Sequence, residues 1–218
     1  MNITLENIGK RYRFEWIFKG IDYQFEMGKG YAVLGNNGSG KSTLMQLLSG
    51  HLSPSKGQLL YTIDKKKIDI NEAYQNLSFA APYIELIEDF TLQEAIDFHW
   101  KFKPMKCSKK ELIERLDYPK SAQKKAIKFF SSGMQQRLKL ALAICSETSL
   151  LLLDEPTITL DRKAVAWYVD LLKEYAYSAN RLTIIASNVE EDFQGCTERF
   201  HVLDYKPSKE KKTKNQPT

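Results

Sequence analysis

The sequence at residues 35–42 is Gly35-Asn36-Asn37-Gly38-Ser39-Gly40-Lys41-Ser42, which fits the pattern G-x-x-x-x-G-K-[ST]. The apolar run at residues 31–34 before it predicts a buried strand, and the segment from Ser42 to Leu48 after it predicts a helix. Glycine lets backbone N–H groups turn towards an anion, and a helix N-terminus adds partial positive charge there. The pattern in this setting therefore predicts a phosphate-binding loop, and an empty glycine-rich turn is the alternative.

The loop also predicts which atoms hold a nucleotide. Lys41 can reach the β- and γ-phosphates, and the Ser42 hydroxyl can ligate Mg²⁺. The remaining predicted nucleotide contacts are backbone and side-chain groups of the same segment, namely Gly35, Asn36, Asn37, Gly38, Ser39, Gly40 and Thr43.

A second apolar run, at residues 150–153, ends at Asp154 and Glu155. Open α/β sheets bind ligands at the carboxyl ends of their strands, so these acids are expected near the phosphate loop. Asp154 can hold Mg²⁺, through water in our expectation, and Glu155 can polarise a water for in-line attack on a γ-phosphate. Alone, an apolar run followed by Asp-Glu is also typical of a strand end with solvated acids.

Buried strands and helices alternate along most of the chain. Further apolar runs at residues 77–80 and 183–186 predict strands, and helical periodicity is present at 132–146 and 164–177. This order favours an α/β fold with a parallel sheet covered on both faces. Alternation of apolar and polar residues in the first 30 positions predicts antiparallel strands in addition.

Composition indicates a globular domain of 218 residues, with 43% hydrophobic and 27% charged side chains. No run of about 18 apolar residues is present, and the first residues do not resemble a signal segment, so we expect a cytoplasmic protein. The three cysteines and three histidines are scattered, which argues against a disulfide framework or a His/Cys metal site.

The net charge of +5 is unevenly distributed: residues 101–128 carry +7 and residues 206–218 carry +4. The terminal segment has no apolar period and is predicted to be a disordered, solvated tail, although it could touch anionic lipid or nucleic acid. The basic segment at 101–128 is either a solvated helical face or a contact for an acidic partner or anionic headgroups.

Two further segments carry a resemblance to a known family. Phe130-Ser131-Ser132-Gly133-Met134-Gln135-Gln136-Arg137 lies upstream of the acids, and Pro156-Thr157-Ile158-Thr159-Leu160-Asp161 follows them. Together with the phosphate loop, their order and spacing resemble the ATP-binding cassette (ABC) family. The resemblance implies a P-loop NTPase cassette with a mostly parallel core sheet, an antiparallel β subdomain and a helical subdomain. It covers residues 1–205 as one ATPase domain, with the helical subdomain at about 83–131.

The resemblance also implies partners and roles. Two cassettes of this family face head to tail around two ATP molecules, so Ser131 and Gly133 would contact the partner's γ-phosphate. Ser132 and Met134 replace a glycine and a glutamine of the family's signature segment. Asp161 would lie at the dimer seam.

The family places an aromatic side chain on the adenine ring, and this sequence offers candidates near its start. Tyr12 falls at the matching position, with Phe14 and Trp16 as rivals. Stacking of a base on an aromatic ring contributes about 1–3 kcal/mol. Ordinary core packing is the alternative role for Tyr12.

Two departures from the family concern hydrolysis. Pro82 stands where the family has a glutamine after the strand at 77–80, and Asn188 stands where it has a switch histidine. Proline offers no side-chain oxygen or amide, and asparagine can donate a hydrogen bond but cannot carry a proton. Because Glu155 is present, we expect hydrolysis that is slow or strongly dependent on a partner, with Asn188 as a second catalytic candidate.

The resemblance thus implies an ATP-binding and ATP-hydrolysing subunit that powers an ABC transporter, acting as a peripheral protein on the cytoplasmic side of the membrane. Its partners would be a second cassette, as a homodimer or heterodimer, and separate transmembrane permease subunits received in a groove lined by Pro82, Tyr83 and Ile84. Thr91 and Glu94 would begin a helix of the helical subdomain with a capping box. The alternatives are a non-transport ABC ATPase acting on nucleic acid or ribosomes and a catalytically weak cassette in a heterodimer. Nucleic acid is not expected as a partner, because the chain has one cassette and no coiled-coil or zinc insert.

Overall fold

The computed structural model describes residues 1–178 and 180–207. The basic tail at residues 206–218 was predicted to be disordered. From residue 208 onward it lies outside the described residues.

The elements of the described residues are as follows. The strands are β1 (Asn2–Tyr12), β2 (Glu15–Phe25), β3 (Gly30–Leu34), β4 (Lys56–Ile63), β5 (Lys66–Ile68), β6 (Leu77–Ala80), β7 (Leu150–Asp154), β8 (Leu182–Ala186) and β9 (Glu198–His201). The helices are α1 (Lys41–Leu48), α2 (Ile70–Ala73), α3 (Leu92–Phe102), α4 (Lys109–Leu116), α5 (Lys120–Gln123), α6 (Ser132–Cys145) and α7 (Arg162–Tyr175).

A five-stranded parallel sheet forms the centre of the fold, in the order β6-β7-β8-β3-β9. Its strands are four or five residues long, and all except the edge strand β9 are largely buried, because other elements cover both faces. The parallel register brings the carboxyl ends of β3, β6, β7 and β8 to one edge. The segments that follow these four strands therefore meet there, as the sequence predicted.

The antiparallel sheet has the order β2-β1-β4-β5. The sequence predicted its first two strands, which are 11 residues each. It did not predict β4, which pairs Leu59 with Leu5 and Leu60 with Thr4 of β1. Only Lys56, Gly57 and Gln58 of β4 are exposed, whereas Leu59–Ile63 is a mainly apolar run with a strand pattern of its own that was not predicted.

Two apolar layers lie on the two faces of the parallel sheet. Alternate residues of β7 divide between them: Leu151 and Leu153 pack with α3, α4, α6 and α7, whereas Leu150 and Leu152 pack with α1 and the antiparallel sheet. This division follows from the period of two in a strand. The predicted covering of both sheet faces is confirmed.

The segment between β6 and α6, predicted to be largely helical, contains three helices separated by loops. Thr91 caps α3 with the predicted capping box, since its hydroxyl accepts from the Glu94 N–H and the Glu94 carboxylate accepts from the Thr91 N–H. Pro104 follows α3 and Pro119 precedes α5, which accounts for the breaks, because the residue before a proline disfavours the helix. The exact limits of a subdomain at 83–131 stay a prediction.

Arg181 is buried, with 2% of its surface exposed, and it ties the parallel sheet to two helix ends. Its guanidinium donates to the carbonyl oxygens of Ala143 and Ile144 at the end of α6 and of Tyr175 at the end of α7. It also donates to the hydroxyls of Ser78 on β6 and Thr148. Burial lowers the pKa of Arg181 to about 10, so the group remains a cation at neutral pH. The negative ends of two helix dipoles favour that cation.

Candidate nucleotide-binding site

The phosphate loop leaves β3 at Leu34 and enters α1 at Lys41, as predicted. Gly38 and Gly40 have φ angles of 73° and 109°, in the region that favours glycine. A Cβ atom on Gly40 would lie 2.5 Å from Ile17 Cγ2, so no larger residue fits without a shift. The loop and its surroundings form a cavity of about 470 Å³, lined by Ile17, Asn36–Thr43, Glu155 and Ile158.

Lys41 is the buried cation of this cavity, with 5% of its surface exposed. Its Nζ donates to the Gly35 carbonyl oxygen at 2.8 Å and lies 3.1 Å from Glu155 Oε1. The structure thus brings together the phosphate loop and the acids after β7, which are more than 100 positions apart in the sequence.

Glu155 sits at a sharp turn just after β7. Its φ angle is 45°, which is uncommon for a residue with a Cβ atom, and its N–H donates to the Ala186 carbonyl oxygen at the end of β8. Such conformations cost about 1–3 kcal/mol and occur where the surrounding structure holds them. The turn directs the Glu155 carboxylate to the phosphate loop.

Asp154 is the buried acid beside it, with no measurable exposure. Oδ2 accepts a hydrogen bond from the Tyr83 hydroxyl at 3.1 Å, whereas Oδ1 is buried without a hydrogen-bond partner. Burial raises the pKa of Asp154, and the hydroxyls of Ser42 and Tyr83 oppose that rise. A buried carboxylate oxygen without a donor beside a serine hydroxyl fits Mg²⁺, which prefers oxygen ligands. Asp154 and Ser42 are therefore suited to hold the ion.

Asn188 lies at the same edge of the sheet. Its Nδ2 donates to Asn37 Oδ1 of the phosphate loop at 3.1 Å. Hydrogen bonds of the preceding residue stabilise the turn that carries Asn188: the Ser187 hydroxyl donates to Asp192 and accepts from the Val189 N–H. Asn188 therefore reaches the predicted place beside the phosphate loop, and its part in catalysis stays a prediction.

The signature residues and Asp161 form a separate cavity of about 410 Å³, lined in part by Ser131, Ser132, Gly133, Met134 and Asp161. Among the described residues, none lines both this cavity and that of the phosphate loop. The signature segment therefore lines a cavity of its own, and its contact with a second cassette stays a prediction.

Both Ser131 and Asp161 act as helix caps. The Ser131 hydroxyl accepts from the Met134 N–H at the start of α6, and Asp161 accepts from the Ala164 N–H at the start of α7. Their predicted roles towards a second cassette are not tested by these contacts and stay predictions.

Sequence reasoning missed two residues that support the site. The buried Gln136 of α6 donates to the Pro156 carbonyl oxygen at 2.8 Å and so joins the signature helix to the turn after Glu155. Tyr83 was expected in the groove, but it contacts Asp154 instead. A glutamine facing inward on a helix signals a polar partner, whereas nothing in the sequence around Tyr83 indicated its partner.

Tyr12 is 47% exposed, and Lys10 Nζ lies 5.4 Å from the centroid of its ring. Among the described residues that line the phosphate-loop cavity, the nearest in sequence to Tyr12 is Ile17. Stacking of Tyr12, Phe14 or Trp16 on adenine stays a prediction.

A mainly apolar groove of about 380 Å³ lies between β6, α3 and α6. Ile84 lines it, together with Phe79, Leu86, Phe90 and Phe98. Pro82 and Tyr83 do not appear among its lining residues, contrary to the expectation for those two positions. The reason is the turn after β6, which directs Tyr83 to Asp154 rather than to the groove.

Ion pairs offset part of the basic segment at 101–128. Lys109 pairs with Asp97, Lys110 with Glu114, Arg115 with Glu111 and Glu174, and Lys128 with Asp89. Lys120, Lys124 and Lys125 are exposed. Within residues 1–178 and 180–207, every helix is too short or too polar to cross a membrane.

Fold and site together define a P-loop nucleotide-binding protein. The family model described as ABC transporter matches residues 18–158, and the chain belongs to that family. The predicted family and fold class are confirmed.

Curated relatives agree with this assignment. The chain is 32% identical over 198 residues to the ABC transporter ATP-binding protein YybJ of Bacillus subtilis, covering 87% of each chain. It is 28% identical over 209 residues to the ribose import ATP-binding protein RbsA of Oceanobacillus iheyensis, covering 90% of this chain and 42% of that protein. The chain thus spans less than half the length of RbsA and 58% of the length of YcbN of Bacillus subtilis.

Solved structures show the same fold. A dimeric post-hydrolysis state of the ATP-binding cassette MJ0796 bound to ADP and Pi superposes with a TM-score of 0.78 at 20% identity, covering 94% of this chain and 95% of that one. A bacterial Atm1-family ABC exporter with ATP bound superposes with a TM-score of 0.72 at 20% identity, covering 92% of this chain and 37% of that one.

Proposed function

We propose that the chain binds ATP with Mg²⁺, pairs with a second cassette, and hydrolyses ATP to power a transporter whose membrane-spanning subunits are separate chains. The observation that carries the proposal is the meeting of Lys41, Asp154 and Glu155 at one edge of the sheet. The curated relatives named for ribose import and for ABC transport support the transport role over an action on nucleic acid or ribosomes.

The resting ion pair suggests how binding prepares the site. Lys41 now faces Glu155 at 3.1 Å, and a γ-phosphate would compete for the same ammonium group. Transfer of Lys41 to the phosphate would release the Glu155 carboxylate, which could then take a proton from the attacking water. Mg²⁺, held by Ser42 and Asp154, would offset the charge of the phosphate oxygens.

A second cassette would complete the site. The cavity beside Ser131 and Gly133 would receive the partner's γ-phosphate at the N-terminus of α6, where a helix favours an anion. Asp161, which also lines this cavity, would face the dimer seam. The two substitutions Ser132 and Met134 leave the backbone N–H groups of this helix end in place.

The apolar groove between β6, α3 and α6 would receive a membrane-spanning partner, which would hold the chain on the cytoplasmic side of the membrane. Phe98 and Phe102 beside it are exposed apolar side chains, as expected of an interface. Contact with anionic headgroups would involve Lys120, Lys124 and Lys125. Flotation with anionic vesicles tests it: replacing those lysines with glutamine should reduce the bound fraction, and unchanged binding would contradict the contact.

The test of hydrolysis compares the purified chain with its Glu155→Gln variant. We expect slow ATP turnover by the wild type and a further loss of about 10²- to 10⁴-fold in the variant, because the general base is gone. The variant should still bind ATP and elute as a dimer on size-exclusion chromatography with ATP and Mg²⁺.

Glu147→Gln is the matched control, since Glu147 is an exposed acid just before β7. It should leave turnover unchanged. Wild-type turnover in the Glu155→Gln variant would contradict the role of Glu155. Fast turnover by the wild type without partners would contradict the slow hydrolysis expected from Pro82 and Asn188.

A further inference from the structure

The turn after β6 places a phenol next to the position where the ABC family has a glutamine. Pro82 has no side-chain group that can reach Mg²⁺ or water, but the next residue, Tyr83, donates its hydroxyl to Asp154 Oδ2 at 3.1 Å. The two residues are 71 positions apart, and the contact joins the carboxyl ends of β6 and β7.

The tyrosine side chain is 43% exposed, and its ring packs on one side against another aromatic ring. Its centroid lies 6.0 Å from that of Phe79 on β6, with the rings at 73°. Phe79 in turn lies 5.9 Å from the ring of His51, which follows α1, at 66°. Edge-to-face contacts of this kind are favourable, so the ring has a defined place beside the site.

The hydroxyl fixes one oxygen of Asp154 and leaves the other available. Oδ2 is occupied by Tyr83, whereas the buried Oδ1 has no hydrogen-bond partner. The hydrogen bond from Tyr83 favours one rotation of the carboxylate about χ2, and that rotation keeps Oδ1 open for a cation or its water.

We propose that Tyr83 is a positioning residue for the magnesium site: its hydroxyl orients the Asp154 carboxylate and takes the place left empty by Pro82. The proposal rests on the function proposed above, because it assumes that Asp154 holds Mg²⁺. Tyr83 acts through Asp154, so its loss should weaken the contribution of Mg²⁺ to ATP binding and leave metal-free binding unchanged.

The experiment measures ATP affinity by isothermal titration calorimetry with Mg²⁺ and with EDTA, for the wild type and Tyr83→Phe. The ring is retained in the variant and only the hydroxyl is removed. We expect the ratio of the two dissociation constants, EDTA over Mg²⁺, to fall by about three- to tenfold, the range of one ordinary hydrogen bond, because the hydroxyl acts on the ion only through Asp154. Tyr23→Phe on β2 is the control and should keep the wild-type ratio.

A double-mutant cycle distinguishes positioning from a general effect on the fold. In an Asp154→Asn background the ratio should already be low, and adding Tyr83→Phe should change it by less than about twofold. Binding of Mn²⁺, followed by electron paramagnetic resonance of the ATP complex, should weaken in Tyr83→Phe and remain unchanged in Tyr23→Phe.

The outcomes separate the two proposals. If the wild type binds ATP without any gain from Mg²⁺, the proposed magnesium site fails and the role of Tyr83 fails with it. If the wild type gains and Tyr83→Phe gains equally or more, only the role of Tyr83 is overturned. A loss in Tyr83→Phe that persists in the Asp154→Asn background would also overturn it, because Tyr83 would then act through another group.

Discussion

The two sides of the nucleotide site differ in what they are made of. On the side of β3 and α1, the phosphate loop has every residue of its pattern, and much of its chemistry comes from backbone N–H groups and Lys41. On the side of β6 and β8, the residues that follow the strands are Pro82, Tyr83 and Asn188, and side chains supply the contacts.

This difference shows which part of the nucleotide site tolerates changes in sequence. Holding phosphates depends on backbone geometry, which a glycine pattern fixes. Placing the metal ion and the attacking water depends on side-chain groups that reach the same position beside the phosphates. Residues of different length can reach that position. With the roles proposed for Tyr83 and Asn188, this side can depart from the family pattern while the fold remains the same.

The departures from the family pattern would have another explanation if the structure around β6 were loosely packed. Replacing Arg181 tests that explanation. Arg181 joins β6, through Ser78, to the ends of α6 and α7. Replacing it with methionine should lower the free energy of unfolding by about 3–5 kcal/mol, because several buried carbonyl oxygens lose their donors. Urea unfolding followed by circular dichroism measures the loss.

Arg199→Met is the matched control for Arg181→Met. Arg199 is an exposed arginine that donates to the Cys196 carbonyl oxygen, so its replacement should cost less than about 1 kcal/mol. Equal and small losses in both variants would mean that Arg181 does not stabilise this side, and a loosely packed β6 side would then account for the departures from the family pattern.

Lys41 tests the phosphate-loop side. Lys41→Gln removes a buried ammonium group, so ATP affinity should fall by about 30- to 150-fold, equivalent to about 2–3 kcal/mol. Because the contact does not involve the metal, the loss should be the same with Mg²⁺ and with EDTA, unlike the loss expected for Tyr83→Phe. Calorimetric titration measures both, with the exposed Lys29→Gln as control. A loss seen only with Mg²⁺ would show that the two sides do not act separately.

Much of the fold and of the phosphate-loop side could be predicted from the sequence, because the signals are local. The glycine pattern at 35–42, the apolar runs before Gly35 and Asp154, and the Thr91–Glu94 capping box each lie within a few residues. Such patterns set backbone geometry directly, and the parallel register then brings their ends together.

The other side could be predicted only in part, because its contacts are not local. Tyr83 meets Asp154 across 71 positions and Gln136 meets Pro156 across 20. The direction of a single side chain after a strand depends on the turn and on packing against neighbours such as Phe79. The strand β4 is a different case, because its run Leu59–Ile63 is a local strand signal that the prediction did not use.

Replacing Asn188 should have the smallest effect on ATP affinity. It also tests whether this departure from the family pattern slows hydrolysis. The exposed hydrogen bond from Asn188 to Asn37 contributes at most about 1 kcal/mol, so Asn188→Ala should lower ATP affinity by no more than about fivefold. Asn188→His should instead raise turnover by a few-fold, because imidazole can carry a proton beside the γ-phosphate. Steady-state turnover and calorimetry on the same preparations measure the two effects, with Asn76→Ala, at a half-buried position in the turn before β6, as control. If Asn188→His leaves turnover unchanged, slow hydrolysis arises from the turn at Pro82 and Tyr83 rather than from Asn188. The functional difference between the two sides of the nucleotide site would then come from that single turn.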